Sequence, residues 1–387
     1  MKDALAGRVV EVLESCLAGR NRPVVLHEPR FTGNEWQYVK ECIDTGWVSS
    51  AGRFVDQFEV KLAELTGVKQ AVALVNGTAA LHICLMLAGV QPGDEVLVPT
   101  LTFVATANAV IYCNALPHFV DSDHDTLGVN PVRLNAYLED ISSPVGGECI
   151  NRNTGRPIRA LVVMHTFGHP ADLDALADVC RRHNIALIED AAEALGSLYK
   201  NRHVGNWGVL SAISFNGNKI VTAGGGGAVL TNNEQLGALA KHLTTTARTA
   251  HRWEFSHDAI GYNYRLPNLN AALVLAQLEY LEELVERKRE LADRYRQAFA
   301  GMDGLRFFKE PEFARSNYWL NALVLDESRM DELNHVLEAT NAAGFLTRPS
   351  WKLMHRLPMF TACPHMDLSV SESLSERIVN LPSSAFL

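Results

Sequence analysis

Ile185–Asp190 reads IALIED, and Ser214–Lys219 reads SFNGNK and runs on to four glycines, Gly224–Gly227. Each segment is an apolar strand that ends in chemistry, a carboxylate at Asp190 and an amine at Lys219. Taken singly, Asp190 reads as a helix N-cap before Ala191–Leu195, and Lys219 as a solvated loop lysine. In this order, with a glycine run behind them, they are the pair that pyridoxal phosphate requires. Its aldehyde is held by a lysine amine as a Schiff base, and its ring nitrogen is kept protonated by an acid. An ion pair at about 4 Å in an effective dielectric near 20 is worth roughly 4 kcal/mol. That corresponds to about three pKa units, enough to keep a pyridinium charged at neutral pH.

Outward from this pair, strands and helices alternate. Strands are expected at Ala71–Val75, Glu95–Val98, Pro117–Val120, Ala160–Met164, Ala186–Ile188, Ala212–Phe215 and Gly227–Thr231. Helices are expected at Thr78–Ala88, Ala105–Tyr112, Asp172–His183 and Asn233–Thr244, with Lys2–Cys16 and Gly33–Thr45 ahead of them. This is an α/β pattern with a mainly parallel sheet covered on both faces. Residues 139–159 lack periodicity and read as an irregular excursion. A long helix is expected over Asn268–Phe299. Short strands follow at Leu305–Phe308 and Tyr318–Leu325, then helices at Met330–Ala342 and Ser371–Val379. The division expected is an N-terminal helical extension at 1–30, a large α/β domain at 31–255 and a small α+β domain at 256–387.

Composition narrows the function classes. The chain has 387 residues, 47% hydrophobic and 20% charged, which suits a large buried core in two domains. The net charge of −9 disfavours nucleic acid as a partner. Seven cysteines, an odd number without a C-x-x-C, suit a reduced cytoplasmic protein. Gln70–Gly93 and Val96–Val120 carry no charged residue and are long enough to span a bilayer. Asn76-Gly77-Thr78 breaks the first, and Pro99 and residues 114–117 break the second. Each divides into strand, turn and helix, so no membrane segment is expected.

At strand ends, open α/β sheets bind ligands. Gly77 and Thr78 open a helix whose free N–H groups suit a phosphate, and Ser214 offers a hydroxyl to the same group. Phe103 is placed to stack on a ring. Competing motifs are absent from the sequence: no G-x-x-x-x-G-K-[ST], no G-x-G-x-x-G in a strand–helix turn and no G-x-S-x-G elbow. His165 and His169 have an i,i+4 spacing, but Gly168 and Pro170 put them in a loop, so no metal is expected.

These residues resemble the sugar aminotransferases of the DegT/DnrJ/EryC1/StrS group, within the fold-type-I pyridoxal phosphate enzymes. The matching segments are NGTAAL at Asn76–Leu81, GDEVLV at Gly93–Val98, TLTFVATA at Thr100–Ala107, EDAAEALG at Glu189–Gly196, Ser214–Lys219, GGGGAVLT at Gly224–Thr231 and GYNYRLPNLN at Gly261–Asn270. They run in family order over nearly the whole chain. The resemblance implies that Lys219 is the Schiff-base lysine and Asp190 the pyridinium partner. It assigns Gly77, Thr78 and Ser214 to the phosphate cup and Phe103 to the ring stack. Asn263 is implied to reach the phosphate of a neighbouring subunit, hence a homodimer. Glu193 departs from the many relatives that carry Gln there, touching the ring hydroxyl; a Glu makes that contact only when protonated or rearranged. Arg265 matches a position near the anionic part of the substrate. His165, Arg348 and His355 are further substrate candidates, and which residue holds the nucleotide stays open.

A narrower resemblance, to the subgroup serving legionaminic acid and bacillosamine synthesis, is carried by Glu28–Glu35, GWVSSAG at Gly46–Gly52, residues 139–159 and HTFGHP at His165–Pro170. It implies glutamate as amino donor and a UDP-linked 4-keto-6-deoxy-N-acetylhexosamine as acceptor. The rival readings are a sugar dehydratase on the same scaffold, in which His replaces the lysine, a non-enzymatic regulator that keeps the fold, and a cofactor-free sugar-nucleotide binding protein. The intact Lys219 argues against the first.

Overall fold

The apolar runs that look like membrane spans in the sequence become strands buried on both faces. A computed structural model of the protein describes residues 5–387. A seven-stranded sheet lies at its centre, in the spatial order Gln70–Leu74, Gly227–Thr231, Leu210–Ser214, Ala186–Asp190, Ile158–Met164, Glu95–Pro99 and Leu116–Val120. Gly227–Thr231 is antiparallel to both its neighbours; the other adjacent pairs are parallel. Leu74, Pro99, Met164, Asp190 and Ser214 therefore end on one edge of the sheet, where Gly227 begins. Side chains from both faces of these strands are buried, so the sheet is covered on each side.

Between strands, the helices Gly77–Leu87, Val104–Tyr112, Leu173–His183 and Glu234–Thr244 fall within one or two residues of expectation. Two more, Arg53–Thr66 and Pro131–Ile141, were not among those expected. Asn130 caps the second, accepting from Arg133 N–H at 3.0 Å, and Pro131 sits at its first turn.

Three expectations are corrected. First, residues 139–159 are not irregular: Ser142–Val145 pairs with Glu148–Asn151 in an antiparallel hairpin. Its turn is Gly146-Gly147, both at positive φ (60° and 86°), as a two-residue hairpin loop requires. Second, the long helix breaks into Asn268–Leu278 and Leu281–Ala298. Tyr280 leaves helical geometry, and its hydroxyl donates to the Glu35 carboxylate. Third, Ser371–Val379 is not one helix. A helix at Ser369–Ser375 gives way to a strand at Ile378–Leu381, which pairs with Asn321–Leu325 at the centre of a second, four-stranded sheet.

Packing crosses the expected domain limits. The Asn268–Leu278 helix packs on Glu35–Thr45 and Arg53–Thr66 and joins the main core, as do Met354, Phe360, Met366 and Leu368. From the Leu5–Cys16 helix, Leu5, Val9 and Leu13 share a core with Leu291, Tyr295, Leu323 and Val336. Residues 2–4 of the expected first helix lie outside the described residues.

Candidate active site

Each strand end at the common edge delivers one chemical group. Glycine is required where two of them meet. A Cβ on Gly227 would lie 2.4 Å from the Asn76 carbonyl carbon, and one on Gly77 would lie 2.9 Å from Ser214 Cβ. The start of the Gly77–Leu87 helix is thus pressed against the Ser214 strand end. Asn76 caps that helix by accepting the Ala79 N–H at 2.8 Å. Helix geometry leaves the Gly77 and Thr78 N–H groups without an intrahelical partner. Two free amides, a helix N-terminus and the adjacent Ser214 hydroxyl make a cradle suited to a phosphate.

Asp190 is buried in the middle of the edge. Its carboxylate accepts from Thr106 Oγ1 at 2.7 Å and from Ala192 N–H at 3.2 Å. Burial raises its pKa, and the Thr106 hydroxyl holds it back. Three residues on, Glu193 Oε2 accepts the Phe167 N–H at 2.9 Å while Oε1 meets Lys219 Nζ at 3.3 Å. Burial pushes the Glu193 pKa up to about 7 against the pull of Lys219. The Lys219 ammonium also lies over the Trp319 ring, 4.0 Å from its centroid. An amine, two buried carboxyls and a phosphate-sized cradle at one sheet edge fit pyridoxal phosphate: the amine suits its aldehyde, a carboxyl its ring nitrogen and the cradle its phosphate.

Phe103 is an exposed ring at the same edge, at the N-cap of the Val104–Tyr112 helix. The GYNYR segment runs alongside the first strand end: Leu74 bridges to Arg265, and Val75 N–H donates to the Tyr264 carbonyl at 2.8 Å. Asn263 is exposed and accepts from Arg265 Nε at 3.0 Å. Arg265 joins Arg248, His251 and Arg252 around an open recess of about 580 Å³.

The other substrate candidates are spoken for within the chain. His165 is fully buried; Nε2 meets Glu189 at 3.1 Å and Nδ1 accepts the Ala171 N–H at 3.2 Å, so no ring nitrogen remains for a substrate. His355 links Thr100 Oγ1, at 2.8 Å, to Glu372, at 3.3 Å, and ties the C-terminal region to a strand end. Arg348 sits on an exposed edge strand of the smaller sheet, bonded to Asn341 Oδ1 and the Thr347 carbonyl. No contact ties it to the Lys219 group among the described residues.

Two participants escaped the sequence reading. Thr106 lies one helical turn past Phe103 and was legible within the TLTFVATA segment. Trp319 lies a hundred residues beyond Lys219, and no local pattern announces it.

The model of the DegT/DnrJ/EryC1/StrS aminotransferase family matches residues 29–387. The chain belongs to that family. It is 36% identical over 362 residues to a GDP-perosamine synthase of Escherichia coli O157:H7, covering 93% of each protein. It is 38% identical over 371 residues to EpsN of Bacillus subtilis, a putative pyridoxal phosphate-dependent aminotransferase, covering 94% of this chain and 92% of that one. Among solved structures it resembles DesI, determined with its TDP-sugar product, with a TM-score of 0.83 and 28% identity over 97% of this chain and 93% of that one. The protein is a fold-type-I, pyridoxal phosphate-dependent sugar aminotransferase. No helix among the described residues is long and apolar enough to cross a membrane.

Proposed function

We propose that this enzyme moves an amino group from L-glutamate to a nucleotide-linked 4-keto-6-deoxy sugar. Its acceptor would be UDP-4-keto-6-deoxy-N-acetylhexosamine, used for surface glycans of the legionaminic acid or bacillosamine type. The observation that carries the site assignment is the meeting of Lys219 Nζ with Glu193 at 3.3 Å, beside buried Asp190 and the Gly77 helix start. The segments shared with the legionaminic acid and bacillosamine subgroup support the substrate. Bound pyridoxal phosphate supplies an electron sink for a substrate carbanion. Lys219 would hold the cofactor through its aldehyde, and its freed amine would move the proton from the donor Cα to the cofactor carbon that takes up the amino group. Asp190 holds a proton on the ring nitrogen. The Gly77 and Thr78 amides and the Ser214 hydroxyl bind the phosphate, and Phe103 covers the ring.

Arg265, with Arg248 and Arg252, faces the anionic part of the nucleotide sugar. The enzyme works as a homodimer in which Asn263 completes the partner's site. Exposed Trp36, Trp47, Trp253, Phe255 and Ile260 offer the apolar surface that a second copy would cover. Seven unpaired thiols support a cytoplasmic location. Borohydride reduction and peptide mapping test the site: the adduct is expected on Lys219, and an adduct elsewhere overturns the assignment. Mass spectrometry of products made from glutamate and UDP-, GDP- and dTDP-linked 4-keto sugars tests the substrate. Mixed Lys219→Ala and Asn263→Ala dimers test the shared site. Recovery of activity is expected, because one of the two sites then contains neither mutation.

A further inference from the structure

Trp319 belongs to the C-terminal part of the chain, yet it forms one wall of the lysine's surroundings. Its indole face lies 4.0 Å from Lys219 Nζ, and its Nε1–H donates to the Asn218 carbonyl at 2.8 Å. The ring therefore touches the reactive amine and also fixes the backbone unit next to it. Trp319 is in turn held from both ends. Its N–H donates to Asn317 Oδ1 at 2.8 Å, and Asn317 Nδ2 donates to the carbonyls of Glu193 and Leu195, both at 2.9 Å. Its carbonyl accepts from the fully buried Lys288 amine at 3.1 Å, and burial holds that amine's pKa well below the usual lysine range. Among the described residues it has no carboxylate partner; it grips backbone carbonyls, one of them at this tryptophan. Asn317 leaves no room for change around it: a Cβ on Gly168 would fall 1.9 Å from its Oδ1.

We propose that Trp319 is a positioning residue for Lys219. The indole face and the Glu193 carboxylate hold the ammonium between them, and the indole N–H pins the loop that carries it. The amine is thereby set for capture of the cofactor aldehyde before the cofactor arrives. A flexible lysine side chain loses rotamer freedom on reaction, and a wall that has already ordered it removes that cost. The cation–π contact adds a preference for the face of this ring.

This inference rests on Lys219 being the capturing residue, so the test separates the two. The affinity for pyridoxal phosphate is measured by equilibrium dialysis for the wild type, Trp319→Leu, Lys219→Ala and the double variant. Trp319→Leu is expected to weaken binding about tenfold when Lys219 is present and less than about twofold when it is alanine, because coupled residues are not additive. Trp319→Phe keeps a ring and loses the N–H; its expected loss is about threefold, again only with Lys219 present. It decides the matter if the leucine variant does not fold. Equal losses of affinity in both backgrounds would show that Trp319 merely fills space and would overturn the proposal. If Lys219→Ala binds the cofactor as tightly as the wild type, the capture assignment falls and takes this proposal with it.

Discussion

Glu189 and Asp190 are neighbours on one strand, and their side chains leave opposite faces of the sheet into opposite electrostatic settings. Glu189 is fully buried, yet its pKa is lowered: burial resists, and hydrogen bonds from His165 and from backbone amides outweigh it. Its two oxygens accept from His165, from Gly205 and Gly208 N–H at 2.7 Å and from Trp207 N–H at 2.8 Å. Asp190 has one hydroxyl and one amide, and Glu193 one amide and a lysine. Both of these are raised by burial. Donor supply, more than burial, separates a carboxylate that holds the scaffold from one left available to a ligand.

If that contrast is right, the largest effect belongs to the scaffold side. Glu189→Ala strands a buried histidine and three amides, Gly205 buried and Trp207 and Gly208 half-buried, so it should cost roughly 3–5 kcal/mol of folding stability. Urea unfolding measures it; a loss within about 0.5 kcal/mol, the range of ordinary surface substitutions, would mean that the donors repack and the contrast is empty. Asp190→Asn should do the reverse. It removes a charge that burial penalises, so the fold should survive, while turnover should drop by a hundredfold to about a thousandfold, or about 3–4 kcal/mol of transition-state stabilisation. Wild-type turnover in Asp190→Asn would leave Asp190 as a residue that only anchors the turn at Ala192.

Glu193 gives an intermediate effect with a pH signature. A carboxyl whose folded pKa is pushed up to about 7, above the ordinary 4.5, keeps a proton that the unfolded chain has already lost. The cofactor-free protein should therefore be favoured below pH 4.5 by this group and lose that stability as pH climbs to about 7, by roughly 1–3 kcal/mol. Glu193→Gln, which keeps the shape and removes the titrating proton, should flatten the slope across this window. Thermal melts of both proteins at pH 5 and pH 7 decide it, and parallel pH dependence would remove Glu193 from the account.

How much of this was legible in the sequence follows from how local each feature is. The Gly227–Thr231 strand has the limits expected of it because a glycine turn precedes an unbroken apolar run. Asp190 stood out because it closes an apolar strand, and Lys219 because it follows five residues after one that ends at Ser214, so chemistry and position are written in the same few residues. The Gly146-Gly147 turn was present as a hairpin signal, but the surrounding strands are short and polar, and their pairing went unread. The break at Tyr280 left no mark, since it depends on a carboxylate at Glu35, far away in sequence. His165 was a substrate candidate within the HTFGHP segment. Only the fold shows that its two nitrogens are consumed by Glu189 and Ala171. Trp319 reaches Lys219 through tertiary packing alone.

The smallest effect tests the same contrast at the helix start. Around Glu189 the backbone amides are taken by the protein's own carboxylate, whereas those of Gly77 and Thr78 remain for a foreign anion. Asn76 serves both interests, because its side chain caps Ala79 and thereby fixes the first turn. Asn76→Ala should cost about 1 kcal/mol of stability from the lost cap. Asn76→Asp keeps the cap and adds favourable charge at a helix N-terminus, so the cofactor-free protein should be as stable as the wild type or slightly more so. That same charge lies where the phosphate is expected, and cofactor affinity should fall about tenfold, an effect that salt would partly screen. The two variants thus move stability and affinity in opposite ways. If Asn76→Asp binds pyridoxal phosphate as tightly as the wild type, the free amides of Gly77 and Thr78 do not face the phosphate, and the helix start is a turn and nothing more.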